Sequence, residues 1–244
     1  NSKYGELKAR IAHIAHRTLR NQVQEYVKYT KRIPFVQEYH LSKKEIDLYE
    51  AVSDYLFREG TYGIPDRIRP LLSLLYRKIM SSSAYALSFT LQSTIERLKR
   101  IKDEGRQILS MSSVLNDLET IDNDDNSDSY ETVEISERDK AAIDNEIEEL
   151  RHYVSMAEGI GYETKAQALL KALTASFDKV ERLGGLRRAL IFTESRKTQE
   201  YLKNFFEANG FRDKVVCFNG TNSNDESNNI YQKWLLTHAG TSYV

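Results

Sequence analysis

A single cysteine in 244 residues, Cys217, rules out an internal disulfide and fits a reducing compartment. Flanked by Val215, Val216 and Phe218, it reads as a small buried hydrophobe in a strand rather than a reactive thiol. No apolar run approaches the roughly 18–20 residues that a membrane span needs. The chain is therefore expected away from membranes, in the cytoplasm if bacterial and otherwise inside the cell. The opening Asn1-Ser2-Lys3-Tyr4 has no initiator Met and no apolar signal segment, and Gly240 to Val244 has no stop-like character. Both ends are expected to be cuts.

Nucleotide chemistry lacks its usual parts as well. None of the eleven glycines is followed by a lysine, so no Gly-x-x-x-x-Gly-Lys-Ser/Thr phosphate loop exists. Asp103-Glu104 and Asp225-Glu226 fall on or beside expected helices, not at the end of a buried strand that presents a Mg²⁺-binding acid. His13 and His16 have helical spacing but no nearby cysteine or third ligand, so they read as surface or packing residues and no metal is expected. Gly159-Ile160-Gly161 begins like a dinucleotide fingerprint, but no strand precedes it and position 164 is Thr; it reads as a helix stop.

What is present is ordinary soluble composition, 40% hydrophobic and 29% charged. The net charge of −1 hides an uneven distribution. Residues 111–164 carry three basic and sixteen acidic side chains, whereas 1–40, 41–110 and 165–244 have net charges of +5, +3 and +4. The stretch 116–134 is rich in Asn, Asp and Ser and is expected to be a mobile acidic loop. The acidic block at 117–139 reads either as a solvated loop or as a DNA-mimicking or autoinhibitory strap.

Periodicity predicts a mainly helical chain. Leu7, Ile11, Ile14 and Leu19 suggest a helix over 4–28, broken near Arg20. Ile33 to Leu41 is β-rich, with Pro34 suiting a strand start. Ser42-Lys43-Lys44-Glu45 has the form of a capping box, opening a helix with Ile46, Tyr49, Val52, Leu56 and Phe57 on one face. Gly60 to Pro65 ends it. Helices follow over 67–80 and 84–109, with Ser81-Ser82-Ser83 weakening the join, and another runs from a Ser136 cap to about Glu158. Beyond a helix over 163–183 and the Gly184-Gly185 break, Ala189-Leu190-Ile191-Phe192-Thr193 and Val215-Val216-Cys217-Phe218 read as strands buried on both faces of a parallel sheet. They alternate with helices over 197–209 and 226–238, as at the start of an α/β lobe.

Three stretches resemble the Swi/Snf-like translocases of helicase superfamily two, the wider DEAD/DEAH-type class. The first is Arg17-Thr18-Leu19-Arg20 with Val23, Ile33 to Leu41, Ser42, Glu45 and Leu48-Tyr49, similar to the exit from the first motor lobe. The second is Thr164-Lys165-Ala166-Gln167-Ala168-Leu169-Leu170 followed by Arg188 to Arg196, similar to the helix and strand that open the second lobe. The third is Phe218-Asn219-Gly220-Thr221, similar to the turn after the next strand. Tyr85-Ala86-Leu87 to Leu91 also resembles an interlobe element of bacterial members.

The resemblance implies a mixed, mainly α fold: residues 1–41 as the tail of a first RecA-like lobe, 42–160 as a helical interlobe insertion with its acidic loop at about 116–135, and 161–244 as the first half of a second lobe. It implies that Thr193, Glu194, Ser195, Arg196, Gly220 and Thr221 face a nucleic-acid backbone, and that Arg17 and Arg20 are the basic residues of the lobe exit. Thr193 and Ser195 also read as caps of the following helix, and Gly220 as a turn glycine. The implied partners are nucleic acid, DNA above RNA, and the remaining helicase lobes in the same polypeptide. ATP and Mg²⁺ are implied for the parent; this stretch, lacking the phosphate loop, the acidic pair and the arginine-rich motif, is expected to hold no cofactor and hydrolyse no ATP. The other reading is a non-enzymatic helical interaction module on an α/β scaffold.

Overall fold

The computed structural model describes residues 2–12, 14–15, 22–23, 26, 34–108, 132–219 and 225–238. Asn1–Val36 and Gln37–Val244 are separate compact units. In the first, α1 (Ser2–Ile11) is the described element. Its apolar residues Tyr4, Leu7 and Ile11 are exposed. The helix expected over 4–28 ends at Ile11; Ala12, Ile14 and Ala15 lie outside the α-helix, and Arg17, His13, His16 and Arg20 lie outside the described residues.

The second unit opens on extended chain. The strand expected over 33–41 has no ladder partner among the described residues. At Ser42 the capping box forms: the Ser42 hydroxyl accepts from the Glu45 N–H at 3.4 Å, and the Ser42 N–H donates to Glu45 Oε2 at 2.6 Å. It starts α2 (Lys43–Phe57), whose buried face is Leu48, Val52, Tyr55 and Leu56. The expected face is corrected in part: Ile46 and Phe57 are 41% and 65% exposed. Both sets have helical spacing, and packing against the later helices chose between them. Phe57 instead lies under the Arg77 guanidinium, 4.7 Å from its ring centre.

Next come α3 (Arg69–Ser82) and α4 (Ala84–Glu104), separated at Ser83, whose hydroxyl accepts from the Ala86 N–H at 3.0 Å. The helix expected to run to 109 stops at Gly105, where φ is +66°, a value an L side chain resists. Arg106–Ile108 then forms β1, antiparallel to β2 (Thr132–Glu134), with Gln107 opposite Val133. Residues 132–134 thus leave the expected loop for a sheet; residues 116–131, the rest of that loop, lie outside the described residues, as do 109–115. A second capping box, Ser136 with Asp139, opens α5 (Glu137–Glu158).

These four helices share one core, in which Leu48, Val52, Leu72, Tyr76, Leu87, Leu91, Leu98, Ile143 and Leu150 are fully buried. A polar knot sits inside it. Glu146, 6% exposed, accepts from Tyr55 Oη at 2.6 Å and from the Tyr62 and Gly63 N–H groups, each at 2.9 Å. Arg97, also buried, donates to the Gly63 carbonyl, and Gln107 Nε2 donates to the Tyr62 carbonyl at 2.8 Å. The Gly60–Pro65 turn is thereby held from α2, α4, α5 and β1 at once.

A smaller cluster, Ala166, Tyr201, Phe205 and Phe206, joins α6 (Thr164–Arg182) and α7 (Arg196–Phe206) to Tyr85 of α4. A wide π-type turn, Glu207–Phe211, closes α7 across Gly210 at φ +92°; α8 (Asp225–His238) follows. The fold is mainly α with one small two-stranded sheet among the described residues. The runs expected as strands at 189–193 and 215–218 form no β-ladder among the described residues; Leu190 and Phe192 are 86% and 90% exposed, and Cys217 is half-buried. A strand is defined by its ladder, and neither run has a neighbour among the described residues to supply one.

Candidate functional site

Three helix starts and one helix end converge beside Thr193. The Ser195 hydroxyl accepts from the Thr198 N–H at 3.3 Å and caps α7. The Thr198 side chain, 5% exposed, shares hydrogen bonds with the hydroxyls of Ser82 at the end of α3 and Ser83 at the start of α4, at 2.7 and 2.8 Å. Glu163, 4% exposed just before α6, accepts from the Tyr85 N–H at 3.3 Å, while its own N–H donates to Tyr201 Oη at 3.0 Å. Thr164 donates its N–H to Glu45 Oε1 at 3.0 Å, so the acid that boxes α2 also caps α6.

Above this junction lies a cleft of about 370 Å³, lined by Lys78, Glu163, Phe192, Thr193, Glu194 and Thr198 among others. An adjoining cleft of about 320 Å³ is bounded by Tyr39, Tyr49 and Arg77 and shares Ser81, Glu163 and Lys165 with the first. Lys165 Nζ donates to the Ser81 carbonyl at 2.7 Å. Lys78 Nζ meets Glu194 at 3.0 Å across the mouth, an exposed pair worth well under about 1 kcal/mol.

The two buried carboxyls are shifted in opposite directions because they differ in donors. Burial pushes Glu45 up, but the Ser42 and Thr164 donors outweigh it and hold the carboxyl below its ordinary value. Glu163 has only backbone donors from Tyr85 and Ala84; burial dominates, the Glu45 charge adds to it, and the carboxyl is pushed up to about 7. Tyr201 is pushed up to about 12, first by burial.

Of the residues expected at a nucleic-acid backbone, Thr193 and Glu194 line the cleft, Ser195 is the α7 cap, and Arg196 is the first residue of α7. Gly220 and Thr221, like Arg17 and Arg20, lie outside the described residues. Sequence reasoning missed Glu163, Thr198 and the second task of Glu45. Glu163 stands directly before Thr164, where a helix start was visible, but nothing local marks it as buried. Among the described residues no three His, Cys, Asp or Glu side chains gather as a metal site would require, and no helix is long and apolar enough to cross a membrane. Compared with protein families, curated proteins and solved structures, the chain gives no match.

Proposed function

We propose that this chain is the interlobe part of an ATP-dependent nucleic-acid translocase of the Swi/Snf-like, superfamily-two class. Residues 42–160 are then the helical insertion between two RecA-like motor lobes, and 161–244 the start of the second. The observation that carries the reading is the succession from Arg188 to Arg196. An extended apolar run with Leu190 and Phe192 facing outward leads into Thr193 and Glu194 at a cleft mouth and then into a capped helix start. Exposed side chains of that kind suit a strand that pairs within a larger parallel sheet. The Thr193 hydroxyl, the first amides of α7 and the Arg196 guanidinium are donors that fit phosphate oxygens and read no bases. ATP and Mg²⁺ belong to the parent enzyme in this reading.

The second reading, a helical protein-interaction module, is favoured by α8. Tyr231 and Trp234 stack there with ring centres 6.3 Å apart and remain 48% and 41% exposed. Anisotropy titrations with mixed-sequence duplex DNA over a salt series separate the two. Arg196→Ala is expected to weaken binding evenly across sequences and to reduce the log–log salt slope by about one. Absence of any salt-dependent binding by the unaltered chain counts for the interaction module. Binding that Arg196→Ala leaves unchanged in affinity and slope removes Arg196 from the track.

A further inference from the structure

Glu163 occupies the turn between α5 and α6, and while its carbonyl accepts from the Gln167 N–H of α6 at 3.1 Å, its other bonds reach different helices. Its carboxyl is tied to the first turn of α4 and its N–H to Tyr201 of α7. The same junction carries Glu45 against Thr164 and the Ser83–Thr198 hydroxyl pair. Adding a charge here has few remedies. From α2 it faces Glu45, held below its ordinary value, and the phenol of Tyr49; from α4 it takes the Tyr85 and Ala84 N–H groups, and from α7 it faces the phenol of Tyr201. The cations that share the clefts are engaged: Lys165 with the Ser81 carbonyl, Lys78 with Glu194, Arg77 over Phe57. A carboxylate at Glu163 therefore sits desolvated beside a second carboxylate; the Tyr85 and Ala84 N–H groups and the Lys165 charge favour it, but burial outweighs them.

We infer that Glu163 is a proton-operated latch on the junction of α4, α6 and α7: its neutral carboxyl holds the junction closed, and its ionisation favours a state in which α6 and α7 part from α4 and the cleft opens. The latch concerns this junction alone and does not rest on nucleic-acid binding. Burial of the carboxyl beside Glu45 gives the direction. In the closed junction the carboxyl ionises only at about 7, whereas exposed to water it returns to the ordinary 4.5. Between those values the closed form holds a proton that the open form gives up, so closure is strongest below 4.5 and is lost as the pH rises to about 7. Above that the opening constant is level.

Amide hydrogen exchange on the whole chain, corrected for intrinsic rates, reads the opening constant directly. The reporters are the Tyr85, Glu163 and Thr164 amides. Their opening constants should climb by up to about tenfold per pH unit between about pH 5 and 7 and then level off. Amides of the α5 core, such as that of Leu150, should not follow. Glu163→Gln, an uncharged mimic of the protonated acid, should remove the slope. A carbon-detected titration of the Glu163 carboxyl in the unaltered chain gives an independent reading, expected near neutrality. Titration near 4.5, a slope that persists in Glu163→Gln, or an equal slope throughout α5 overturns the latch.

Discussion

Glu146→Ala is expected to lower the unfolding free energy by about 3–5 kcal/mol. The carboxylate is the acceptor for Tyr55 Oη and for the Tyr62 and Gly63 N–H groups, all within 2.9 Å. Truncation strands three donors in a region where Tyr55 and Arg97 are 1% and 7% exposed. Each stranded donor keeps its desolvation cost and loses its compensation, and the nearby Arg97 charge loses an opposite charge. Glu146→Gln should cost less than Ala, because one amide oxygen still accepts, but its NH₂ group confronts a donor. Urea unfolding at neutral pH measures both, the m-value serving to confirm that the compared states expose equal surface. A loss below about 1 kcal/mol for the Ala variant would mean that the Gly60–Pro65 turn is held by apolar packing alone.

Gly63→Ala is expected to cost about 2–3 kcal/mol through overpacking of the same knot. A Cβ at this position would come within 2.9 Å of both Glu146 Oε1 and Thr94 Cγ2, and closer still to Tyr55 Oη. Glycine is required here for close approach. To admit the methyl, the Tyr55–Glu146 hydrogen bond has to shift. Removing that hydroxyl should relieve part of the clash, so the Tyr55→Phe/Gly63→Ala pair should be less destabilised than the two single losses added together. A control lies in α1, where a Cβ at Gly5 meets nothing within 4 Å. Gly5→Ala should leave the Gln37–Val244 unit unchanged. If Gly63→Ala behaves like Gly5→Ala in thermal melts, the turn can move and the knot is looser than its distances imply.

These effects trace to residues whose role depends on distant partners. Glu146 looks from the sequence like one acid of an acidic helix, in a segment carrying sixteen acidic side chains between 111 and 164. Its partners Tyr55, Tyr62 and Gly63 are more than eighty positions away. Glu45 is half legible: its capping box lies within three residues and could be read directly, whereas its bond to Thr164 spans 119 positions. At the candidate site, Thr193, Glu194, Ser195 and Arg196 stood out as the link between an apolar run and a helix. Glu163, which sets the charge of the junction below them, did not.

The sequence by itself determined what short-range hydrogen bonds and backbone sterics determine. The caps at Ser42 and Ser136 close over three residues, Gly184 at φ +76° follows α6, and the helical majority of the chain follows from periodicity. Tertiary structure decided the rest. It chose Leu48 and Tyr55 over Ile46 and Phe57 as the buried face of α2, because either set has helical spacing and only the neighbouring helices distinguish them. It drew Thr132–Glu134 out of a polar stretch into a ladder with Arg106–Ile108 and left Ala189–Thr193 without one among the described residues, because a strand exists only where a second strand supplies its hydrogen bonds. And it made three ordinary glutamates into buried acceptors, since the state of an acid depends on the donors and the solvent that the whole fold leaves around it.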